Sequence, residues 1–113
     1  MKKKELRLRC WITVDGEKYF GPGPAELLEL IQETGSISKA ALRMGMSYKK
    51  AWDIVDELNK HGSKPAVISR KGGEKGGGAV LTPRGIAILT SYRHLIRKLN
   101  NVIDRDKSIL KLI

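Results

Sequence analysis

At 113 residues, with 41% hydrophobic and 30% charged positions, the chain has the length of one small domain and is too apolar to be wholly disordered. It has no run of about 18 apolar residues, and its basic start, Met-Lys-Lys-Lys, leads into alternating residues, so neither a membrane span nor a signal peptide is expected. That leaves a cytoplasmic location as the expectation, and the net charge of +10, with acidic residues concentrated in 10–35 and basic ones on both sides, favours a polyanionic partner.

In chain order, Leu6, Leu8, Cys10, Ile12 and Val14 alternate with Arg7, Arg9, Trp11 and Thr13, the period-2 pattern of a half-buried strand. Asp15-Gly16 supplies a two-residue hairpin turn. If Val14 faces Glu17, the register sets Trp11 opposite Phe20. Gly-Pro-Gly-Pro at 21–24 ends the return strand, and its second proline suits the first turn of a helix. Leu27, Leu28, Leu30 and Ile31 line one side of that helix, Glu26, Glu29 and Glu33 occupy a solvated back, and Gly35 stops it.

Residues 35–62 read as two helices around a tight turn. Ser36 or Ser38 caps the first, Ala40, Ala41 and Met44 form its narrow apolar side, and Gly45 breaks it. Ser47 caps the second, in which Ala51, Ile54, Val55 and Leu58 point inward, Lys49, Asp53, Asp56 and Lys60 outward, and Lys50 and Trp52 sit on the shoulders. This is the helix-turn-helix arrangement. Ala66–Arg70 and Ala79–Thr82 are β-prone runs that flank Lys71–Gly78, where five of the twelve glycines fall in eight positions, so the glycines form a hairpin tip. That stretch does not match G-x-x-x-x-G-K-[S/T] at a helix start, which argues against a nucleotide cradle. Thr82-Pro83 caps a long final helix whose stripe runs through Ile88, Tyr92, Leu95, Leu99 and Val102, with Leu89, Ile96 and Ile103 alongside. So long a helix on so small a core is expected to bury its excess against a twin, and its tail beyond Asp106 to fray.

The expected fold class is α+β. It comprises an N-terminal hairpin (1–20), three helices (24–62), a wing (66–82) and a long C-terminal dimerisation helix (83–105), one winged helix-turn-helix unit over 1–113. The runs GSISKAALRMGMSYKKAWDIVDELN and RKGGEKGGGAVLTPRG resemble the N-terminal DNA-binding domain of the molybdate-responsive transcription regulators, the ModE family, over roughly residues 21–103. The resemblance implies a LysR-type helix-turn-helix, a DNA partner, and a chain without the molybdate-binding domain, so that molybdate is not expected to bind it directly. Glu74, between Gly73 and Lys75, departs from the family's glycine-lysine wing.

The candidate DNA-binding residues are Ser47, Tyr48, Lys49, Lys50, Trp52 and Asp53 at the start of the second helix of the pair, where side chains reach base edges. Arg70, Lys71, Lys75, Gly76 and Gly77 join them in the wing, where charge and bare backbone can approach phosphates. The candidate dimer face is Ile88, Tyr92, Leu95, Ile96, Leu99, Val102 and Ile103. Cys10, His61 and His94 lack metal-ligand spacing, no disulfide can form within the chain, and no cofactor is expected. No nucleophile–base grouping is recognisable, which points away from an enzyme. Two rival partners fit the same scaffold: an acidic protein docked on the exposed apolar helix, and structured RNA, whose narrow major groove admits a helix less well.

Overall fold

The chain alternates two short antiparallel hairpins with four helices, giving an α+β architecture. The elements are β1 (Ile12–Val14), β2 (Glu17–Phe20), α1 (Pro22–Thr34), α2 (Ile37–Met44), α3 (Tyr48–Lys60), β3 (Val67–Gly73), β4 (Gly76–Leu81) and α4 (Pro83–Arg105). A 3-10 turn, Ser108–Lys111, follows α4. This computed structural model describes residues 2–73 and 76–113, with 71–73, 76 and 77 described by backbone alone.

The first hairpin turns at Asp15 and Gly16, both at positive φ (51° and 82°), the conformation that makes Asp-Gly the favoured pair for this turn. Val14 faces Glu17 as expected, but the strand is much shorter than its alternation suggests. The pattern from Leu6 onward needs a partner, and β2 offers four residues only. Residues 2–11 therefore carry no regular structure. The Cys10 carbonyl accepts from Tyr92 Oη at 2.8 Å, and Lys4 Nζ donates to the Ile113 carbonyl. A register shift after Ile12 places Ile12, not Trp11, across from Phe20. Trp11 instead lies against Gly21, where a Cβ would stand 2.4 Å from the indole ring, and Lys18 Nζ sits 4.9 Å from the ring centroid.

Helix α1 starts at Pro22, two residues earlier than expected from Pro24, with Gly21 as N-cap. It ends on Gly35 (φ 70°), whose N–H reaches Ile31 O at 2.7 Å. Leu27, Leu28 and Ile31 are its largest fully buried side chains, each contributing about 1.5–3 kcal/mol. Its acidic back is not simply solvated: Glu29 pairs with Arg93 of α4, and Glu33 with Arg43 of α2 at 3.3 Å. Ala40 and Ala41 of α2 meet Ala51 of α3 inside the core, and these small side chains let the two helices approach closely.

The same core takes in Val55, Leu58, Ala66, Val67, Ala79, Leu81, Leu89 and Tyr92. Helix α4 opens on a Thr82 cap that accepts from Gly85 N at 3.1 Å while donating to Pro65 O at 2.7 Å. Gly85 lies directly on the chain before β3, since a Cβ there would stand 2.1 Å from Ala66 O. At 23 residues α4 is about 34 Å long. Its first half is held by Leu89 and Tyr92, and Tyr92 packs edge-on to Phe20 at 5.1 Å. Leu95 and Val102 remain exposed, at 42% and 63%.

Candidate nucleic-acid interface

The turn between α2 and α3 is built by main-chain bonds. Gly45 adopts φ 69° and its N–H returns to the carbonyls of Ala41 and Leu42, while Met46 N reaches Ala41 O at 3.0 Å. That closure satisfies the last carbonyls of α2 and reverses the chain in a few residues. Ser47 then caps α3, its Oγ accepting from Lys50 N at 3.0 Å.

Beyond the cap, the first two turns of α3 carry an exposed set of side chains. Tyr48 is 55% and Trp52 47% exposed. Lys50 is exposed, and Lys49 bonds Asp53 at 3.2 Å on the surface. Such an exposed pair contributes about 0.3–0.5 kcal/mol, so Lys49 can exchange Asp53 for a stronger anion at little cost. The inward positions Ala51, Val55 and Leu58 are all buried, which fixes the rotation of α3 and therefore what it shows to solvent.

The second hairpin stands beside this face. Pairing runs Val67 to Leu81, Ile68 to Val80, Ser69 to Ala79 and Arg70 to Gly78, then shifts before Gly73 meets Gly76. Strand β3 retraces α3 in the opposite direction. At its base Asn59 bonds Ala66 and Val67; midway a cleft of about 90 Å³ is lined by Trp52, Asp56, Ile68 and Ser69. At the far end a more polar cleft of about 250 Å³ is lined by Ser36, Ser38, Tyr48, Ser69 and Arg70. Strand β4 docks on the end of α1, Ala79 N donating to Gly35 O at 2.9 Å, and a Cβ on Gly78 would stand 2.7 Å from that oxygen.

The expected site residues thus fall into three groups. Ser47, Tyr48, Lys49, Lys50, Trp52 and Asp53 share the start of α3, and Arg70 lies across the polar cleft from Tyr48. For Lys71, Gly76 and Gly77 the backbone alone is described, within β3 and β4, while Lys75 and Glu74 lie outside the described residues. On α4, Leu95 and Val102 are exposed, and Ile88, Leu99 and Ile103 are half-buried. Tyr92 and Ile96 turn toward their own chain's core, Tyr92 at 5% exposure.

Two residues the sequence did not single out tie this region together. Asn59 bonds the start of β3 with both ends of its amide. Arg84 donates to Leu58 O at 3.2 Å, His61 O at 2.9 Å and Lys64 O at 2.8 Å, closing the end of α3 from the first turn of α4. A signal for Arg84 exists: a cation in a helix's first turn opposes that helix's dipole and points to acceptors elsewhere, here the carbonyl end of α3. Asn59 had a weaker signal, an amide next to inward Leu58 on the shoulder of α3. Lys60, in the same turn, has its pKa raised by its hydrogen bond to Asp56 and by the charges of Asp56 and Glu57.

Among the described residues, no group of three or more His, Cys, Asp or Glu side chains is placed to hold a metal ion, and no helix is long and apolar enough to cross a membrane. No family model matches the chain. Individual proteins do. The chain is 36% identical over 111 residues, 96% of its length, to the transcriptional regulator ModE of Haemophilus influenzae, covering 43% of that protein. It is 42% identical over 79 residues to the molybdenum transport protein ModE of Azotobacter vinelandii, covering 70% of the chain and 29% of the relative. It is 50% identical over 66 residues to the molybdenum-pterin-binding protein MopB of Rhodobacter capsulatus, covering 58% and 24% respectively. The chain therefore spans less than half the length of each of these relatives.

Proposed function

Because the chain belongs to the ModE family, we propose that it is a sequence-specific, dimeric DNA-binding transcription regulator built as a winged helix-turn-helix. The observation that carries this reading is the placement of the exposed first turns of α3 beside the β3–β4 hairpin, Tyr48 and Arg70 flanking one polar cleft. A helix with outward polar donors fits the major groove, about 12 Å wide, and a glycine-rich hairpin beside it fits the flanking backbone. In this assignment Lys49, Lys50 and Asp53 reach base edges, Ser47 and Tyr48 set the entry of the helix, and Trp52 contacts sugar or a thymine methyl. Arg70, Lys71 and Lys75, with the bare backbone of Gly76 and Gly77, face phosphates.

The exposed side of α4 serves as the dimer face. It consists of Leu95 and Val102 with Ile88, Leu99 and Ile103; Tyr92 and Ile96, turned into their own core, support it from behind. Two-fold symmetry then calls for an inverted-repeat site with half-sites one or more helical turns apart. Selection of bound sequences from a random duplex pool with the purified chain tests this directly. A selected inverted repeat should outcompete random duplex by about 10³ or more. No binding to any duplex at low salt would transfer the scaffold to the rival role, docking of an acidic protein.

A second reading comes from the relatives' names, one of which is molybdenum-pterin-binding protein. In the proposed assignment molybdate does not bind this chain directly. Equilibrium dialysis with molybdate is expected to show none retained, and stoichiometric retention would favour the second reading.

A further inference from the structure

We propose that Asn59 is a positioning residue, which fixes the β3–β4 hairpin against α3 and so sets where Arg70 meets the nucleic-acid backbone. The inference rests on the DNA-binding reading above and goes beyond it, since Asn59 itself touches no nucleic acid.

Helix α3 and strand β3 run side by side but are separated by clefts along most of their length, about 90 Å³ midway and about 250 Å³ at the end near Tyr48. The bridge between them lies at the base. Asn59 Oδ1 accepts from Ala66 N at 2.8 Å and from Val67 N at 3.2 Å, while Nδ2 donates to Val67 O at 3.0 Å. An amide that both accepts and donates to one short stretch of backbone fixes its orientation as well as its distance. From Val67 to Arg70 the strand rises about 10 Å, so a small rotation at Asn59 becomes a displacement of the guanidinium across the cleft. The hairpin's other mounts lie away from α3: Val67, Ala79 and Leu81 are buried in the core, Ala79 N donates to Gly35 O, and Thr82 N donates to Ala66 O. Among the described residues, Asn59 supplies the side-chain hydrogen bonds that reach from α3 to the hairpin, so without it packing alone sets the angle between β3 and α3.

The test compares wild type with Asn59→Ala and Asn59→Asp. Asn59→Asp keeps the accepting oxygen but sets a carboxylate oxygen against Val67 O in place of the donor, so its couplings report the hairpin if the alanine variant does not fold; its added charge leaves the salt slope to be read on Asn59→Ala. In the free protein, residual dipolar couplings of β3–β4 amides and of α1–α3 amides should fit one alignment tensor for wild type and two for the variants. On a selected duplex, specific affinity should fall about tenfold, and the slope of log K against log salt should become shallower by about 1, one phosphate contact. A merely structural role lowers the folded fraction, which moves the intercept of that plot and not its slope. One shared tensor in the variants overturns the proposal, as does an unchanged slope with a reoriented hairpin. If wild type binds no duplex at all, the DNA-binding reading has failed, and the couplings alone decide whether Asn59 holds the hairpin.

Discussion

Tyr92 joins packing to chemistry within one side chain. Its ring is buried edge-on to Phe20 and its hydroxyl donates to Cys10 O, so ionisation would put a charge in the core and remove the donor. Burial accordingly raises its pKa above the ordinary 10.0, the charge of Cys10 adds to the rise, and Arg93 and Arg9 oppose it. A raised folded-state pKa means the folded chain keeps its proton where the unfolded chain releases it. Stability from this residue is therefore complete below about pH 10 and declines as pH climbs through the folded value. Denaturation midpoints from pH 8 to 11.5 should show that decline. Tyr92→Phe should flatten it and lower stability at neutral pH by about 1 kcal/mol, the hydrogen bond lost. On α3, Asp53→Asn should change stability by less than about 0.5 kcal/mol, while freeing Lys49 and raising affinity for random duplex in a filter-binding titration. At Gly85 a methyl would meet Ala66 O. Gly85→Ala should cost about 1–3 kcal/mol, read as a fall in Tm.

Helix α4 shows how one stripe of apolar residues can serve two surfaces. Leu89 and Tyr92 turn to the chain's own core, whereas Leu95 and Val102 do not. In the proposed dimer, Val102→Asp should shift sedimentation from dimer toward monomer while leaving the monomer's stability within about 0.5 kcal/mol. The sequence made α4 legible because Thr82, Pro83 and a sustained apolar repeat all agree, and the helix runs over the expected 83–105. It could not divide the stripe, since burial depends on which faces α1 and β2 present. Strand β1 is the opposite case: alternation from Leu6 reports an amphipathic segment but not the length of its partner. The α3 face was legible because Ala51, Val55 and Leu58 fix its rotation. Asn59 and Arg84 were not, because both act through main-chain atoms of distant residues, which no side-chain pattern reveals.

The molecule as a whole is elongated, with extents of 58 × 34 × 22 Å and a radius of gyration of 16.9 Å, against about 13 Å for a compact chain of this length. Two of the five acidic residues in 10–35 pair within the fold, Glu29 with Arg93 and Glu33 with Arg43. Those surface pairs offset part of the acidic segment that looked like a counterweight to the basic ones. Five cations are assigned to the proposed DNA-binding face, Lys49, Lys50, Arg70, Lys71 and Lys75. On random duplex, where Lys49 and Lys50 meet phosphates instead of base edges, the salt slope should then be about −4.5 per protomer, measured by titration between 50 and 200 mM salt. A slope near zero would show that the +10 charge serves solubility and not binding.

Arg84 has a consequence for how freely this chain can vary. Its three acceptors are all main-chain carbonyls, from Leu58, His61 and Lys64, so the closure of α3 makes no demand on the side chains of the loop it binds. Ser63 and Lys64 can be exchanged for almost any residue with little effect. Gly62 cannot, because a Cβ would stand 2.7 Å from a guanidinium pinned in place. Nor will lysine replace Arg84, for a single ammonium cannot span three carbonyls in a fixed fork. Over residues 62–64, a saturation library should therefore return two tolerant positions beside one invariant glycine, matched by one invariant arginine some twenty residues later in the chain.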